Sequence, residues 1–172
     1  GDVVRDGFSG RDVESGAGLL LWKRKKVILE MNVTTKKLSL EEALAAARET
    51  RALEIGADIL NITPRVFREQ FGEKPAVLVT DKNTWAVAGE KVSAAFAAAK
   101  HPMEKPFIFD APDLYAEFRF VEELEASLKN HSAIPVAVGS GTINDLAKLA
   151  SHRTQRPYMC VGTAASMDGY TA

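Results

Sequence analysis

The sequence contains a single cysteine, Cys160, among its 172 residues. One cysteine cannot form a disulfide within the chain, and Cys160 lies in the apolar run 158–161, so we expect a reduced core residue. The formal net charge of -1 gives no electrostatic case for a nucleic-acid partner. The apolar stretch 16–22 is too short to span a bilayer. These absences favour a soluble, cytoplasmic protein with no nucleic-acid partner and no membrane span.

Metal-binding and nucleophile motifs are also missing. The three histidines, His101, His131 and His152, are scattered, with no pair four residues apart and no cysteine partner. We expect each of them on the surface or in a helix flank. No serine, histidine and aspartate have a spacing that singles out a catalytic triad. The residues alone therefore predict no metal site and no activated nucleophile.

The composition is that of an ordinary globular protein, with 46% hydrophobic and 26% charged residues. Residues 1–50 form an N-terminal extension whose first 15 residues show no periodicity. A strand is predicted at 27–33, and a helix follows from Ser39 to about Arg51, where Ser39 and Glu42 have the spacing of a capping box. Residues 51–172 are predicted to be one α/β domain that binds a dinucleotide.

Strands and helices alternate along this second region. After a short helix from Pro64 to Phe71, apolar runs predict four strands, and stripes of 3.6-residue period predict a helix after each of the first three. The predicted strands are 76–80, 106–109, 134–138 and 157–161. This order predicts a Rossmann-like α/β fold, with a mostly parallel sheet and helices on both faces. Right-handed crossovers then bring the ends of all four strands to one edge, where such folds bind ligands.

A glycine turn connects the third strand to the third of these helices. It reads Gly139-Ser140-Gly141-Thr142, and its backbone N–H groups and hydroxyls suit a phosphate group. The turn is not a complete GxGxxG motif, because Asn144 occupies the third glycine position, and it lacks the lysine of a P-loop. Taken alone, the pattern favours a structural tight turn and a phosphate cradle equally.

Three acidic residues also fall near predicted strand ends. Asp81 suits the hydroxyls of an adenine ribose or, equally, the N-cap of the helix at Asn83-Thr84. Asp145 is three residues after Thr142, so it suits either a cap for the helix or a ligand contact. Asp168 belongs to an Asp-Gly turn dipeptide, and its segment also suits a close wall around a polyol.

Three segments resemble one known family. VTDKNTWAVAG, VGSGTINDLAK and RPYMCVGTAASMDGYTA are similar to the sn-glycerol-1-phosphate dehydrogenase family, within the superfamily of dehydroquinate synthase and iron-containing alcohol dehydrogenases. The resemblance runs from about Leu53 to the end. It implies an N-terminal α/β domain that binds NAD(H) or NADP(H), and a C-terminal helical domain that holds a divalent zinc, nickel or iron ion. We expect that second domain to be absent from this chain.

The resemblance also implies roles for individual residues. The turn residues Gly139, Ser140, Gly141 and Thr142, together with Asp145, would lie in the phosphate and ribose site of the cofactor. Asp81 would meet the adenosine ribose, Thr163 and Ser166 would form the next cofactor contact, and Asp168 would contact substrate. The metal ligands of the family, an aspartate and two histidines, come later than any residue of this chain. Ala172 stands where relatives carry a serine that touches the cofactor.

The function implied is that of a metal-dependent polyol-phosphate dehydrogenase, which reduces dihydroxyacetone phosphate to sn-glycerol 1-phosphate. Its partners would be a small phosphorylated polyol or ketone and, in an oligomer, further copies of itself. Without the metal we expect this chain alone to be inactive. Two alternatives are a stand-alone nucleotide-binding or regulatory module and a dehydroquinate synthase-like lyase.

Overall fold

The computed structural model describes residues 39–47 and 50–164. Four strands and six helices are present in these two ranges, in mixed order along the chain. The helices are α1 (Leu40–Ala46), α2 (Thr63–Phe71), α3 (Lys82–Thr84), α4 (Glu90–Ala98), α5 (Phe118–Leu128) and α6 (Gly141–Arg153). The strands are β1 (Ala76–Asp81), β2 (Phe107–Phe109), β3 (Ile134–Gly139) and β4 (Met159–Gly162). A 3₁₀ turn, Ile59–Ile62, precedes α2, and a π segment, Trp85–Gly89, joins α3 to α4.

The four strands form one parallel sheet in the order β2-β1-β3-β4. The register pairs Asp81 with Phe109 at one end of β1 and Gly139 with Gly162 at the end of β3. All four strands therefore finish at the same edge, which we call the carboxyl edge. The predicted parallel α/β fold and the predicted common edge are both confirmed.

Helices cover both faces of the sheet, as the continuous burial of β1 and β3 requires. On one face, α5 and α6 pack against Val77, Val79 and Ala137. On the other face, α2 and α4 pack against Leu78 and Val136. The central strands are buried on both sides because each successive side chain enters one of these two cores. The site residues at the carboxyl edge thus rest on a rigid base.

Two predicted helix starts are confirmed. Ser39 Oγ accepts from the Glu42 amide at 3.1 Å, and the Ser39 amide donates to Glu42 Oε2 at 2.8 Å, which is a complete capping box. Pro64 lies in the first turn of α2, where its missing N–H costs no hydrogen bond. α1 ends at Ala46, earlier than predicted. The strand predicted at 27–33 lies outside the residues that the structure describes.

His101 lies in the flank just after α4, one of the two places predicted for it, and its side chain is buried. The ring packs edge-on against Phe67 and Phe96, with centroids 5.0 and 5.5 Å away, and Nε2 lies 2.9 Å from the Lys74 carbonyl oxygen. The segment after α4 returns to the start of β1, where the Ala76 amide donates to Pro102 O. Helical periodicity does not reveal such a return.

Within 39–47 and 50–164, no helix is long and apolar enough to cross a membrane.

Candidate functional site

The glycine turn between β3 and α6 is tightly constrained. A Cβ on Gly139 would lie 2.7 Å from the Cβ of Ile143, whose side chain is buried in the core under α6. A distance this short is excluded for real carbon atoms, so only glycine lets the strand turn directly into the helix. Gly139 O also accepts from the Thr163 amide at 3.0 Å. The ends of β3 and β4 are thereby tied together at the carboxyl edge.

The first turn of α6 begins at the N-cap Ser140, whose backbone is extended with φ -95° and ψ -161°. Its carbonyl accepts from the Asn144 amide, but its side chain does not cap the helix. Backbone N–H groups at the start of a helix attract anions. The capping role considered for Asp145 was wrong: it lies five residues after the N-cap and is exposed, whereas a capping box requires the third residue, here Ile143.

Asp81 is the N-cap of the helix that follows β1. Its Oδ1 accepts from the Thr84 amide at 2.6 Å and from Thr84 Oγ1 at 3.0 Å, while the Asp81 amide donates to Thr84 Oγ1 at 3.0 Å. The N-cap interpretation is therefore confirmed. Every hydrogen bond to this carboxylate from residues 39–47 and 50–164 falls on Oδ1. Its second oxygen still offers an acceptor at the carboxyl edge.

Next to Asp81, the side chains of Lys82 and Asp110 form an ion pair between Nζ and Oδ1. Lys82 begins α3, and Asp110 directly follows β2, so the pair joins the ends of two neighbouring strands. Both side chains are exposed, at 71% and 82%. Sequence reasoning missed this pair because the two residues are neighbours only through the pairing of β1 with β2.

The π segment rests on the end of β1 through a glycine. A Cβ on Gly89 would lie 2.8 Å from Trp85 Cε3 and 3.4 Å from Thr80 Cγ2. Thr80 is fully buried, and its hydroxyl has no hydrogen-bond partner among the residues that the structure describes. π segments often occur at functional sites. This one places Trp85 close to the carboxyl edge.

A buried hydrogen bond that the sequence did not predict holds α6 on the edge strand. Tyr158 Oη donates to Asn144 Oδ1 at 3.1 Å, and Asn144 is only 1% exposed. The available signal was that Asn144 directly follows Ile143 on the apolar side of α6. A polar side chain at such a position requires a partner. This contact fixes the orientation of the first turn of α6 relative to β4.

Cys160 on β4 is a free, half-buried thiol, which agrees with the reduced core residue that was predicted. Burial raises the pKa of Cys160 to about 12, with smaller opposing effects from Lys148, which lowers it, and Asp145, which raises it. Because the thiolate is the reactive form, this cysteine is unsuited to nucleophilic chemistry near neutral pH.

The other predicted site residues divide into two groups. Thr163 is placed at the carboxyl edge by its bond to Gly139 O. Ser166 and Asp168 lie outside the residues that the structure describes, so their assignments stay predictions.

No group of three histidine, cysteine, aspartate or glutamate side chains in 39–47 and 50–164 is arranged to hold a metal ion. The described residues therefore do not fit the metal of the predicted enzyme.

The donors and acceptors at the edge do fit a dinucleotide. The turn at 139–142 offers backbone N–H groups and two hydroxyls for a pyrophosphate, and Asp81 offers a carboxylate oxygen for ribose hydroxyls. The register aligns the two features, because Val79 pairs with Ala137 two residues before each strand end. β1 and β3 are adjacent, so one extended ligand can reach both.

Comparison with known proteins gives the family. Residues 54–172 match the sequence profile of iron-containing alcohol dehydrogenases. The chain belongs to this family. Among curated relatives, it is 30% identical over 126 residues to a glycerol-1-phosphate dehydrogenase (NAD(P)+) of Halalkalibacterium halodurans, covering 72% of this chain and 31% of that protein. It is 34% identical over 120 residues to the Methanosarcina mazei protein of the same name, covering 69% and 32%.

This member of the iron-containing alcohol dehydrogenase family thus spans about a third of the length of the curated relatives it matches. Solved structures agree on the fold. Glycerol dehydrogenase from Schizosaccharomyces pombe aligns with a TM-score of 0.54 at 20% identity, over 64% of this chain and 27% of that one. At this level of identity the likeness concerns the fold alone.

Proposed function

We propose that this chain is the dinucleotide-binding part of an NAD(P)-dependent dehydrogenase that acts on a small phosphorylated polyol or ketone. The observation that carries the proposal is the meeting of the 139–142 turn and Asp81 at one edge of a parallel sheet. The names of the relatives support both the cofactor class and glycerol 1-phosphate as the product of ketone reduction.

In this proposal the chain binds and orients the cofactor. Backbone N–H groups at the start of α6 hold the pyrophosphate, and Asp81 accepts from the adenosine ribose. Thr163 and Ser166 form the next cofactor contact, and Asp168 faces the substrate. When bound, the nicotinamide supplies hydride. The metal ion that the resemblance implies would be held by residues other than those that this structure describes.

The direct test is a titration of the chain with NADH, followed by energy transfer from tryptophan to the dihydronicotinamide. Trp85 lies close to the carboxyl edge, so we expect a saturable signal. Asp81→Asn removes the negative charge but keeps an equally good N-cap. We expect it to weaken NADH binding by roughly tenfold, the effect of losing about 1.4 kcal/mol of charge-assisted hydrogen bonding.

The matched control is Glu69→Gln, which removes one exposed carboxylate from α2. This helix packs on the face of the sheet opposite α5 and α6. It should leave the NADH titration unchanged. A folded wild-type chain that shows no saturable signal would contradict the proposal. Equal weakening by both variants would mean that general charge, and not Asp81, determines binding.

The chemistry of the longer parent separates this proposal from its alternatives. Reduction of dihydroxyacetone phosphate with net consumption of NADH indicates a dehydrogenase. A dehydroquinate synthase-like lyase recycles NAD within its site and consumes none. A regulatory module catalyses neither reaction, and a reading frame ending near Ala172 would favour it.

A further inference from the structure

We propose that Asn144 and Tyr158 are positioning residues of the dinucleotide site, and that the hydrogen bond between them determines how tightly the first turn of α6 holds a pyrophosphate. The inference rests on the proposed function, because it concerns the same site. It starts from the buried contact in which Tyr158 Oη donates to Asn144 Oδ1 at 3.1 Å. Neither side chain belongs to the 139–142 turn or to the residues predicted to contact the cofactor.

Asn144 lies at the point where the first turn of α6 closes. Its amide donates to Ser140 O at 3.0 Å, which is the first hydrogen bond of the helix. The three amides before it, at 141–143, have no carbonyl partner within the helix and point out of its N-terminal end, where an anion binds. A contact that fixes Asn144 therefore fixes the direction of the amides that would hold a pyrophosphate.

The burial of Asn144 makes this contact directional. The side chain is 1% exposed, and its neighbours on α6, Ile143, Leu146 and Ala147, are buried in the core against which Tyr158 also packs. Apolar contacts of this kind are non-directional, so they allow the helix small rotations. A buried amide oxygen that loses its donor costs free energy. The hydrogen bond thus selects the one orientation of α6 that brings Asn144 to the tyrosine hydroxyl.

Tyr158 reaches α6 from a strand that is held along its whole length. It directly precedes β4, where Met159 pairs with Val136 of β3. Beyond the other end of β4, the Thr163 amide donates to Gly139 O at 3.0 Å. The tyrosine therefore refers the first turn of α6 to a rigid part of the sheet. Hydrogen bonds weaken steeply as their angles depart from linearity, so a small rotation of this turn would weaken all of its bonds to a pyrophosphate together.

The test is titration of the chain with NADH, before and after Tyr158→Phe, at a temperature where both proteins are fully folded. This variant removes one hydroxyl and keeps the ring in the core, and we expect NADH affinity to fall by about fivefold. ADP-ribose carries the same pyrophosphate and should weaken by the same factor. Adenosine, measured by displacement of NADH, lacks the pyrophosphate and should change less than about twofold.

A double variant tests whether the two residues act through their shared bond. Asn144→Ala should also weaken NADH binding. Adding Tyr158→Phe to Asn144→Ala should weaken it no further, because the bond is already lost.

Two controls separate positioning from general stability. Val92→Ala, in the core on the other face of the sheet, should lower the melting temperature and leave the NADH affinity of the folded protein unchanged. Ser151→Ala removes a buried hydroxyl of α6 that has no hydrogen-bond partner within 39–47 and 50–164. It should leave the NADH affinity unchanged as well.

The outcomes distinguish this inference from the proposed function. If NADH binds and Tyr158→Phe leaves its affinity unchanged, the inference is overturned and the proposed function stands. An equal loss for adenosine, an equal loss in Val92→Ala, or additive losses in the double variant would also overturn the inference alone. If the folded wild-type chain binds no NADH, the inference and the proposed function fall together.

Discussion

At the carboxyl edge, Asp81 has a structural role that is compatible with the functional role proposed for it. Asp81 caps a helix through Oδ1, and the bonds to Thr84 leave Oδ2 as a further acceptor, so the two interpretations that its sequence position allowed are compatible. The sequence indicated the N-cap because aspartate after a strand and before Asn83-Thr84 is a standard cap pattern. The Lys82–Asp110 pair had no such signal, because it depends on which strand lies beside β1.

Gly139 gives a stability prediction at this scale. Gly139→Ala places a methyl group against Ile143, so we expect the free energy of unfolding to fall by about 1–3 kcal/mol, the usual cost of overpacking a core. Chemical denaturation of both proteins measures the change. Ser140→Ala is the control at the next position, and it should lose less than about 0.5 kcal/mol because the Ser140 side chain caps nothing. A loss of stability for Gly139→Ala as small as that for Ser140→Ala would show that the turn tolerates a side chain at 139.

Among the elements, α5 and α6 are joined by a charged group that is largely buried. Glu125 on α5 accepts from Lys129 at 2.6 Å and from Arg153 of α6 at 2.7 Å, with only 11% of its side chain exposed. The two cations, Lys129 first and then Arg153, lower the pKa of Glu125 and outweigh its burial, which acts in the opposite direction. The carboxylate is thus stabilised by folding.

These ion pairs of Glu125 predict that the stability of the fold depends on pH. Because the folded pKa of Glu125 lies below the ordinary carboxyl value, its stabilisation is present above that value and is lost as pH falls through the folded pKa. Between about pH 6 and about pH 3, the melting temperature of the wild type should fall more than that of Glu125→Gln. Glu123→Gln, an exposed residue of α5, is the control and should follow the wild type. Parallel curves for all three would contradict the prediction.

Elements were predicted well where one local pattern determines them. The apolar runs of β1 and β3 and the apolar stripes of α5 and α6 consist of the residues that are buried in the structure, so the local pattern was enough to predict these elements. The strand β2 is shorter than predicted, at Phe107–Phe109, because it pairs only with β1 among the described strands. The Asn144–Tyr158 bond and the buried ring of His101 were missed, since both depend on contacts between distant segments.

For the molecule as a whole, the strand order β2-β1-β3-β4 predicts a gradient of local stability. β1 and β3 form hydrogen bonds on both sides and are buried in two cores, so their amides should exchange only when the whole domain unfolds. The amides of β2 should exchange through smaller openings. Native-state hydrogen exchange measures both. Exchange of β3 as fast as β2 would show that the sheet does not unfold as one unit around its centre.

The π segment has a consequence for how this molecule can be altered. One extra residue in a helical run shifts the phase of everything after it by about 100°. The orientation of the residues before Trp85–Gly89 is thus determined by the carboxyl edge, where Asp81 and Lys82 lie. The orientation of the residues after it is determined by the core that contains Val92 and Phe96. The segment fixes the angle between these two sets of residues, so an insertion or deletion within it would rotate the residues of the carboxyl edge relative to those of the core.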